Sequence, residues 1–141
     1  MQGWLIRHTE NQPLKCYALY ENDNTIGRPA RNYHVDVPIE GDEYVSRIHC
    51  KCQIARGPAE WRCTIIDDGG GTGQPSMNGV FINGNAQRLA PQQSMVLRDG
   101  DTIQVGLTKL VFRDWTAVTG EQDAVDQVVR QPYTATVALN T

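Results

Sequence analysis

Short β-prone runs separated by turn-forming residues dominate the sequence and constrain the fold most strongly. Residues 50–54 and 107–111 alternate in character, as half-buried antiparallel strands do. The polar run Glu21–Asn24 predicts a turn. No long helical periodicity precedes residue 115, so we expect an all-β sandwich or barrel. The predicted strands are Gly3–Arg7, Lys15–Tyr20, Thr25–Arg28, Val35–Val37, His49–Ala55, Arg62–Asp67, Val80–Ile82, Met95–Leu97, Thr102–Val105 and Lys109–Arg113.

The size and charge of the chain limit the classes of protein to which it can belong. It has 141 residues, an apolar fraction of 40% and a formal net charge of -3, which fits one domain with a tail. The acidic balance argues against a nucleic-acid surface, and no apolar run approaches a membrane span. The N-terminus lacks the apolar segment of a secretory signal. We therefore expect a cytoplasmic protein whose partners include neither nucleic acid nor a membrane.

The four cysteines are predicted to be buried structural thiols. Cys50 and Cys52 are two residues apart in a predicted strand, so their side chains point to the same face, and such neighbours seldom form a disulfide. Cys16 and Cys63 stand apart in the sequence. A zinc site is the alternative, although the chain has no second close pair and no Cys-x-x-Cys.

Three short motifs follow one another along the chain. The stretch Ser76–Gly84 holds two Asn-Gly pairs around the apolar run Val80–Ile82; alone it predicts a hairpin corner, because Asn-Gly suits turns with positive φ. Upstream, Thr25–Arg28 ends in Gly-Arg, and Val45–His49 contains Ser-Arg-x-His. In this order, and with Asp99–Gly106 downstream, the motifs resemble the forkhead-associated (FHA) domain over residues 4–112.

The resemblance implies a β-sandwich of about eleven strands that reads phosphothreonine in partner proteins. We expect residues 1–114 to form the FHA domain and residues 115–141 to form a C-terminal tail. The expected function is phosphothreonine-dependent protein and peptide binding by a signalling adaptor, without cofactor or catalysis. A phosphate-independent scaffold on the same fold is the alternative. An enzyme is not expected, because the sequence shows no nucleophile motif and no metal spacing among its histidines.

The resemblance also assigns roles to individual residues. It implies that Arg28, Ser46 and Arg47 bind the phosphate of the ligand. Arginine suits this role because it forms bidentate, charge-assisted bonds with phosphate. Asn78 would bond the backbone of the ligand, because its amide both donates and accepts. Ser76 would support that loop and Met77 would border the peptide. The residues expected to support the site structurally are Gly27, His49, Gly79, Asn83 and Gly84.

Two segments are longer than is usual in the family. Residues 28–36 form one, and the other contains a glycine-rich segment, residues 69–75. A nucleotide-binding loop would require Gly-Lys-Ser/Thr and a following helix, and neither is present, so we interpret the glycine-rich segment as a loop insertion. Both insertions are expected at the end of the sandwich that bears the site.

The tail contains a predicted helix over residues 120–130. Thr119 could cap this helix, and Val125, Val128 and Val129 are expected on one face. Beyond it, Thr134 and Thr136 lie in a β-prone segment. If a kinase phosphorylated either threonine, the tail could occupy the site of another molecule, which would give self-association, or its own site.

Overall fold

The computed structural model describes residues 2–9, 14–117, 120–129 and 138–139. This part of the chain contains ten strands. A short 3₁₀ helix, Trp115–Ala117, and one α-helix, α1 (Glu121–Val129), follow the last strand. The strands are β1 (Gly3–Arg7), β2 (Lys15–Leu19), β3 (Asn22–Gly27), β4 (Val37–Pro38), β5 (Cys50–Arg56), β6 (Trp61–Ile66), β7 (Val80–Ile82), β8 (Ser94–Leu97), β9 (Thr102–Val105) and β10 (Thr108–Asp114).

The strands form two five-stranded sheets. The first sheet has the order β2-β1-β10-β9-β7, and the second has the order β4-β3-β5-β6-β8. All pairings are antiparallel except the short parallel pairing of β3 with β4. This arrangement confirms the predicted all-β sandwich, with ten strands in the described residues where about eleven were expected.

The main core lies between the two sheets. Strand β5 shows most simply why one face of each sheet enters this core. Cys50, Cys52 and Ile54 are buried while the alternate residues face outward, as the two-residue period of a strand requires. Cys63 joins the same core from β6. These three thiols are therefore buried and free, as predicted, whereas Cys16 is half-buried.

A second apolar cluster lies on the outer face of the first sheet. Trp4 and Ile6 point away from the main core and pack with Ala124 and Val128 of α1. The predicted helix is present, but its predicted apolar face is partly wrong. Val129 is 62% exposed, and the buried residues of α1 are Ala124 and Val128. Four residues make just over one helical turn, so positions 124 and 128 share a face from which position 129 is rotated away.

The predicted turn Glu21–Asn24 is wrong, because β3 begins at Asn22. Asn22 has a φ of 76°, which is a left-handed backbone conformation, so the chain turns at this residue and is extended after it. Asn24 is then buried inside the strand, where its amide donates to the carbonyl oxygens of Tyr20 (2.8 Å) and Cys52 (3.2 Å). Side-chain hydrogen bonds of this kind allow a polar residue to be buried.

Candidate functional site

Gly27, the last residue of β3, lies against the loop that follows β4. A Cβ atom at Gly27 would lie 2.0 Å from the carbonyl oxygen of Arg47, so the two segments can meet only at a glycine. The next backbone N–H, that of Arg28, donates to the carbonyl of Ser46 at 3.0 Å. This contact brings the Gly-Arg and Ser-Arg-x-His motifs together.

The side chains of Arg28 and Arg47 are exposed beside this contact. The carbonyl of Arg28 accepts a hydrogen bond from the hydroxyl of Tyr33, which fixes the start of the longer loop. Within the part of the chain that the structure describes, neither guanidinium group forms an ion pair. Both groups can therefore reach an anion without first breaking an internal pair.

His49 connects two of the motif-bearing loops. Its ring is fully buried; Nδ1 accepts from the backbone N–H of Ser46 at 3.0 Å, and Nε2 donates to the carbonyl of Gly79 at 2.7 Å. Burial lowers the pKa of His49 below its ordinary value. The ring is thus a neutral tautomer with its proton on Nε2, in a structural rather than a catalytic position.

The serine and asparagine side chains add two further contacts between these loops. The Ser46 hydroxyl accepts from the backbone N–H of Met77 at 3.2 Å, and the Asn78 amide donates to the carbonyl of Tyr44 at 2.9 Å. A hydroxyl that accepts one bond still has its own proton to donate. Among the described residues no hydrogen bond reaches Oδ1 of Asn78, so this oxygen can accept from a ligand.

Asp67 and Arg88 support the Asn78 loop from inside the protein. Asp67 is fully buried and accepts from the backbone N–H and the hydroxyl of Ser76, at 2.7 and 2.9 Å. Arg88 pairs with the same carboxylate at 2.7 Å and also donates to the Ser76 carbonyl at 3.0 Å. The Ser76 hydroxyl accepts in turn from the N–H of Gly79 at 3.1 Å. Ser76 therefore connects the Asn78 loop to the buried carboxylate of Asp67 and to Arg88.

Asn83 and Gly84 lie at the other end of β7. Asn83 donates to Asp101 at 3.1 Å and accepts from the backbone N–H of Thr102 at 2.8 Å. Asn83 lies four positions beyond Gly79 along extended chain, which is a distance of roughly 13 Å. The contacts above link the other nine predicted site residues at one end of the sandwich, whereas Asn83 and Gly84 make none of these contacts themselves.

The sequence did not identify Asp42, Asp67 or Arg88 as parts of this region. Asp42 is buried and accepts from the N–H of Leu107 (2.8 Å) and the hydroxyl of Thr108 (2.7 Å). Asp67 and Arg88 are 21 residues apart. A charged residue in a polar loop gives no local signal that it will be buried, because burial depends on its partner in space.

Two cavities border the site. One, of about 500 Å³, lies between Arg28, Tyr44 and residues of the first sheet such as Arg7 and Thr108. The other, of about 470 Å³, has Ser46, Arg47 and Met77 on one side and Gly69, Thr72 and Pro75 on the other. The glycine-rich segment therefore borders the predicted site. Met77 is 85% exposed at the edge of this second cavity.

Comparison with known proteins identifies the family. The family model of the FHA domain matches residues 24–106. This chain belongs to the FHA domain family, whose members are interaction modules that bind phosphopeptides and are not enzymes.

A curated relative and two solved structures illustrate the similarity. The relative, named oxoglutarate dehydrogenase inhibitor from Corynebacterium efficiens, is 33% identical over 97 residues, which are 68% of this chain and 54% of the relative. This chain thus spans about half the length of that relative. The FhaA FHA domain, in complex with the intracellular domain of Rv3910, is 27% identical with a TM-score of 0.56, over 79% of this chain and 99% of that one.

The second structure comes from an investigation of phosphothreonine-dependent FHA domain interactions. It is 26% identical with a TM-score of 0.55, over 80% of this chain and 96% of that one.

No helix within the described residues is long and apolar enough to cross a membrane.

Proposed function

We propose that this chain binds phosphothreonine-containing segments of partner proteins at the end of the sandwich where Arg28, Ser46, Arg47 and Asn78 meet. The observation that carries the proposal is the backbone bond from Arg28 to Ser46, at 3.0 Å. It joins the backbone of Arg28, whose side chain is exposed, to the backbone of Ser46, whose hydroxyl proton can still be donated. Arg47 adds a second cation.

The chemistry of these groups fits a phosphate ester on an extended peptide. A guanidinium donates two parallel hydrogen bonds to phosphate oxygens, and the Ser46 hydroxyl donates a third. The free Oδ1 of Asn78 can accept from a backbone N–H of the peptide, while its amide stays bonded to Tyr44. His49 and Asp67 keep both loops in place before the ligand arrives, which reduces the ordering cost of binding.

The test compares one peptide with and without a phosphate on its threonine, using fluorescence anisotropy. The parent chain should bind only the phosphorylated form. Arg28→Ala should weaken binding by about 2–5 kcal/mol, roughly thirtyfold or more in affinity, without unfolding the protein. Arg56→Ala is the matched control, because Arg56 is exposed at the far end of β5. Equal binding of both peptides would instead favour the phosphate-independent scaffold.

We propose a signalling adaptor in the cytoplasm as the setting for this activity, with phosphoproteins rather than nucleic acid or membrane as partners. Self-association through a phosphorylated tail also remains a hypothesis, since Thr134 and Thr136 lie outside the described residues. Thr119, the predicted cap of α1, lies outside them as well. A tail that occupied the site of its own molecule would instead act at roughly millimolar effective concentration. Its test is the solution mass of the phosphorylated chain, compared with a chain truncated after Val129, which retains α1.

A further inference from the structure

We infer that Asp42 is a positioning residue for the candidate site, which sets the orientation of the Asn78 amide through the backbone of Tyr44. The inference rests on the proposed function, in which Asn78 bonds the backbone of the peptide. It adds to that function a residue that touches neither the peptide nor its phosphate. Its consequence is that contacts with the first sheet help to determine how tightly the peptide backbone is held.

The Asp42 carboxylate joins the loop that carries Ser46 to the turn between β9 and β10. Asp42 is 7% exposed. Its Oδ1 accepts from the backbone N–H of Tyr44 at 3.0 Å, and its Oδ2 accepts from the N–H of Leu107 at 2.8 Å and the hydroxyl of Thr108 at 2.7 Å. Hydrogen bonds to a charged group are stronger than bonds between neutral groups. These three bonds therefore hold the backbone of Tyr44 at a fixed position relative to the first sheet.

Gly106 allows the turn to approach this carboxylate closely. Its φ is 57°, and a Cβ atom there would lie 2.8 Å from each carboxylate oxygen of Asp42 and 2.9 Å from Cγ2 of Val45. A side chain at this position would therefore push the loop away from the turn. The loop and the turn are in direct contact, which is the condition for Asp42 to bond both.

Tyr44 connects this carboxylate to Asn78. The Tyr44 carbonyl accepts from the amide nitrogen of Asn78 at 2.9 Å. A carbonyl oxygen can only accept a hydrogen bond, so it must face the NH₂ group of Asn78 and leave Oδ1 on the other side of the amide. The bond therefore decides which end of the amide can meet a peptide N–H. Because Asp42 holds the N–H of Tyr44 and the carbonyl of Tyr44 holds Asn78, the three residues form one chain of contacts from the first sheet to the site.

A carboxylate is required at position 42 because three donors meet its two oxygens. An asparagine there would offer one oxygen and one NH₂ group. If the oxygen stayed with Leu107 and Thr108, the NH₂ group would face the N–H of Tyr44. If the amide were reversed, the NH₂ group would face the N–H of Leu107. In either orientation one backbone N–H loses its acceptor, so Asp42→Asn breaks the chain of contacts while the shape of the side chain is kept.

The experiment is a double-mutant cycle on the full chain, in which fluorescence anisotropy measures the affinity for one phosphothreonine peptide. Asp42→Asn and Asn78→Ala should each weaken binding by about tenfold, the loss expected for one hydrogen bond. The double variant should bind within about twofold of Asn78→Ala, because a contact that acts through Asn78 can be lost only once. Asp99→Asn is the matched control and should bind within about twofold of the parent. Asp99 also accepts from a backbone N–H, that of Asp114 at 2.9 Å, but it lies in the turn between β8 and β9.

Thr108→Val gives a second cycle if Asp42→Asn lowers the folded fraction. It removes one donor to Oδ2 and leaves the carboxylate and its bond to Tyr44 in place. We expect it to weaken binding by about threefold, and this loss should disappear when Asn78 is already alanine. Urea denaturation of each variant establishes that the folded fraction is equal under the conditions of the binding assay.

The outcomes separate this inference from the proposed function. Additive losses, with a double variant about a hundredfold weaker than the parent, overturn the role of Asp42. An Asp42→Asn chain that is folded and binds like the parent overturns it as well. If Asn78→Ala binds like the parent, the contact of Asn78 with the peptide and the role of Asp42 are both wrong, while phosphate-dependent binding stands. If the parent binds the peptide equally well without its phosphate, the proposed function fails and this inference fails with it.

Discussion

Replacing His49 by alanine should destabilise the protein and loosen the candidate site together. The change removes the acceptor of the Ser46 N–H and the donor to the Gly79 carbonyl. Each buried polar group left without a partner costs about 1–3 kcal/mol, and the lost ring leaves a cavity that adds to this. We therefore expect a loss of about 3–5 kcal/mol, which for a domain of this size lowers the melting temperature by about 10–20 °C.

The same histidine should make stability depend on pH in a predictable direction. The pKa of His49 is lowered in the folded protein by burial, so below pH 6.5 the unfolded chain binds the proton and the folded protein does not. This contribution to stability is fully present above the ordinary pKa of 6.5. It is lost as the pH falls, by up to about 1.4 kcal/mol per pH unit, until the folded pKa is reached.

Urea denaturation at pH 7.5, 6.5 and 5.5 measures both effects. The parent should lose stability between pH 6.5 and 5.5. The part of this loss that comes from His49 should be absent in His49→Ala. Burial also lowers the pKa of His8, so His8→Gln serves as the background variant that removes its contribution. A His49→Ala protein less than about 1 kcal/mol below the parent would refute the proposed bridge between the two loops.

Three further predictions concern other parts of the molecule. Asp67→Ala should lower the free energy of unfolding by about 3 kcal/mol in urea denaturation, because it leaves Arg88 and the Ser76 hydroxyl without their partner. Glu40→Ala, which removes the exposed pair with Lys15, should lower it by less than about 1 kcal/mol, and equal losses would contradict this account of the buried network. Val128→Ala should lower the free energy of unfolding by about 2 kcal/mol, since it uncovers the outer face of the first sheet. Val129→Ala should leave that free energy unchanged. A larger loss for Val129→Ala than for Val128→Ala would mean that α1 packs differently. Phosphothreonine peptides should bind about fourfold more tightly than matched phosphoserine peptides if the extra methyl group is buried beside Asn78, and equal affinities would contradict that pocket.

The sequence determined the features that depend on neighbouring residues. Alternation and Asn-Gly turns predicted a β-sandwich, and the strands Gly3–Arg7, Val80–Ile82 and Thr102–Val105 agree with the structure at both ends. These signals are local, because side-chain period and turn chemistry act within a few residues. The order of the three motifs likewise indicated the family, and the family model confirms it.

Only the tertiary structure decided which distant residues share an environment. The close approach at Gly27 depends on the path of a loop 20 residues away, and the pairing of Asp67 with Arg88 joins residues 21 apart. The face of α1 that is buried depends on where Trp4 and Ile6 of β1 meet it. The same holds for the cavity of about 470 Å³, which is lined by residues of separate loops. Burial and pairing are set by the partners that a side chain meets in space, and the sequence does not place those partners side by side.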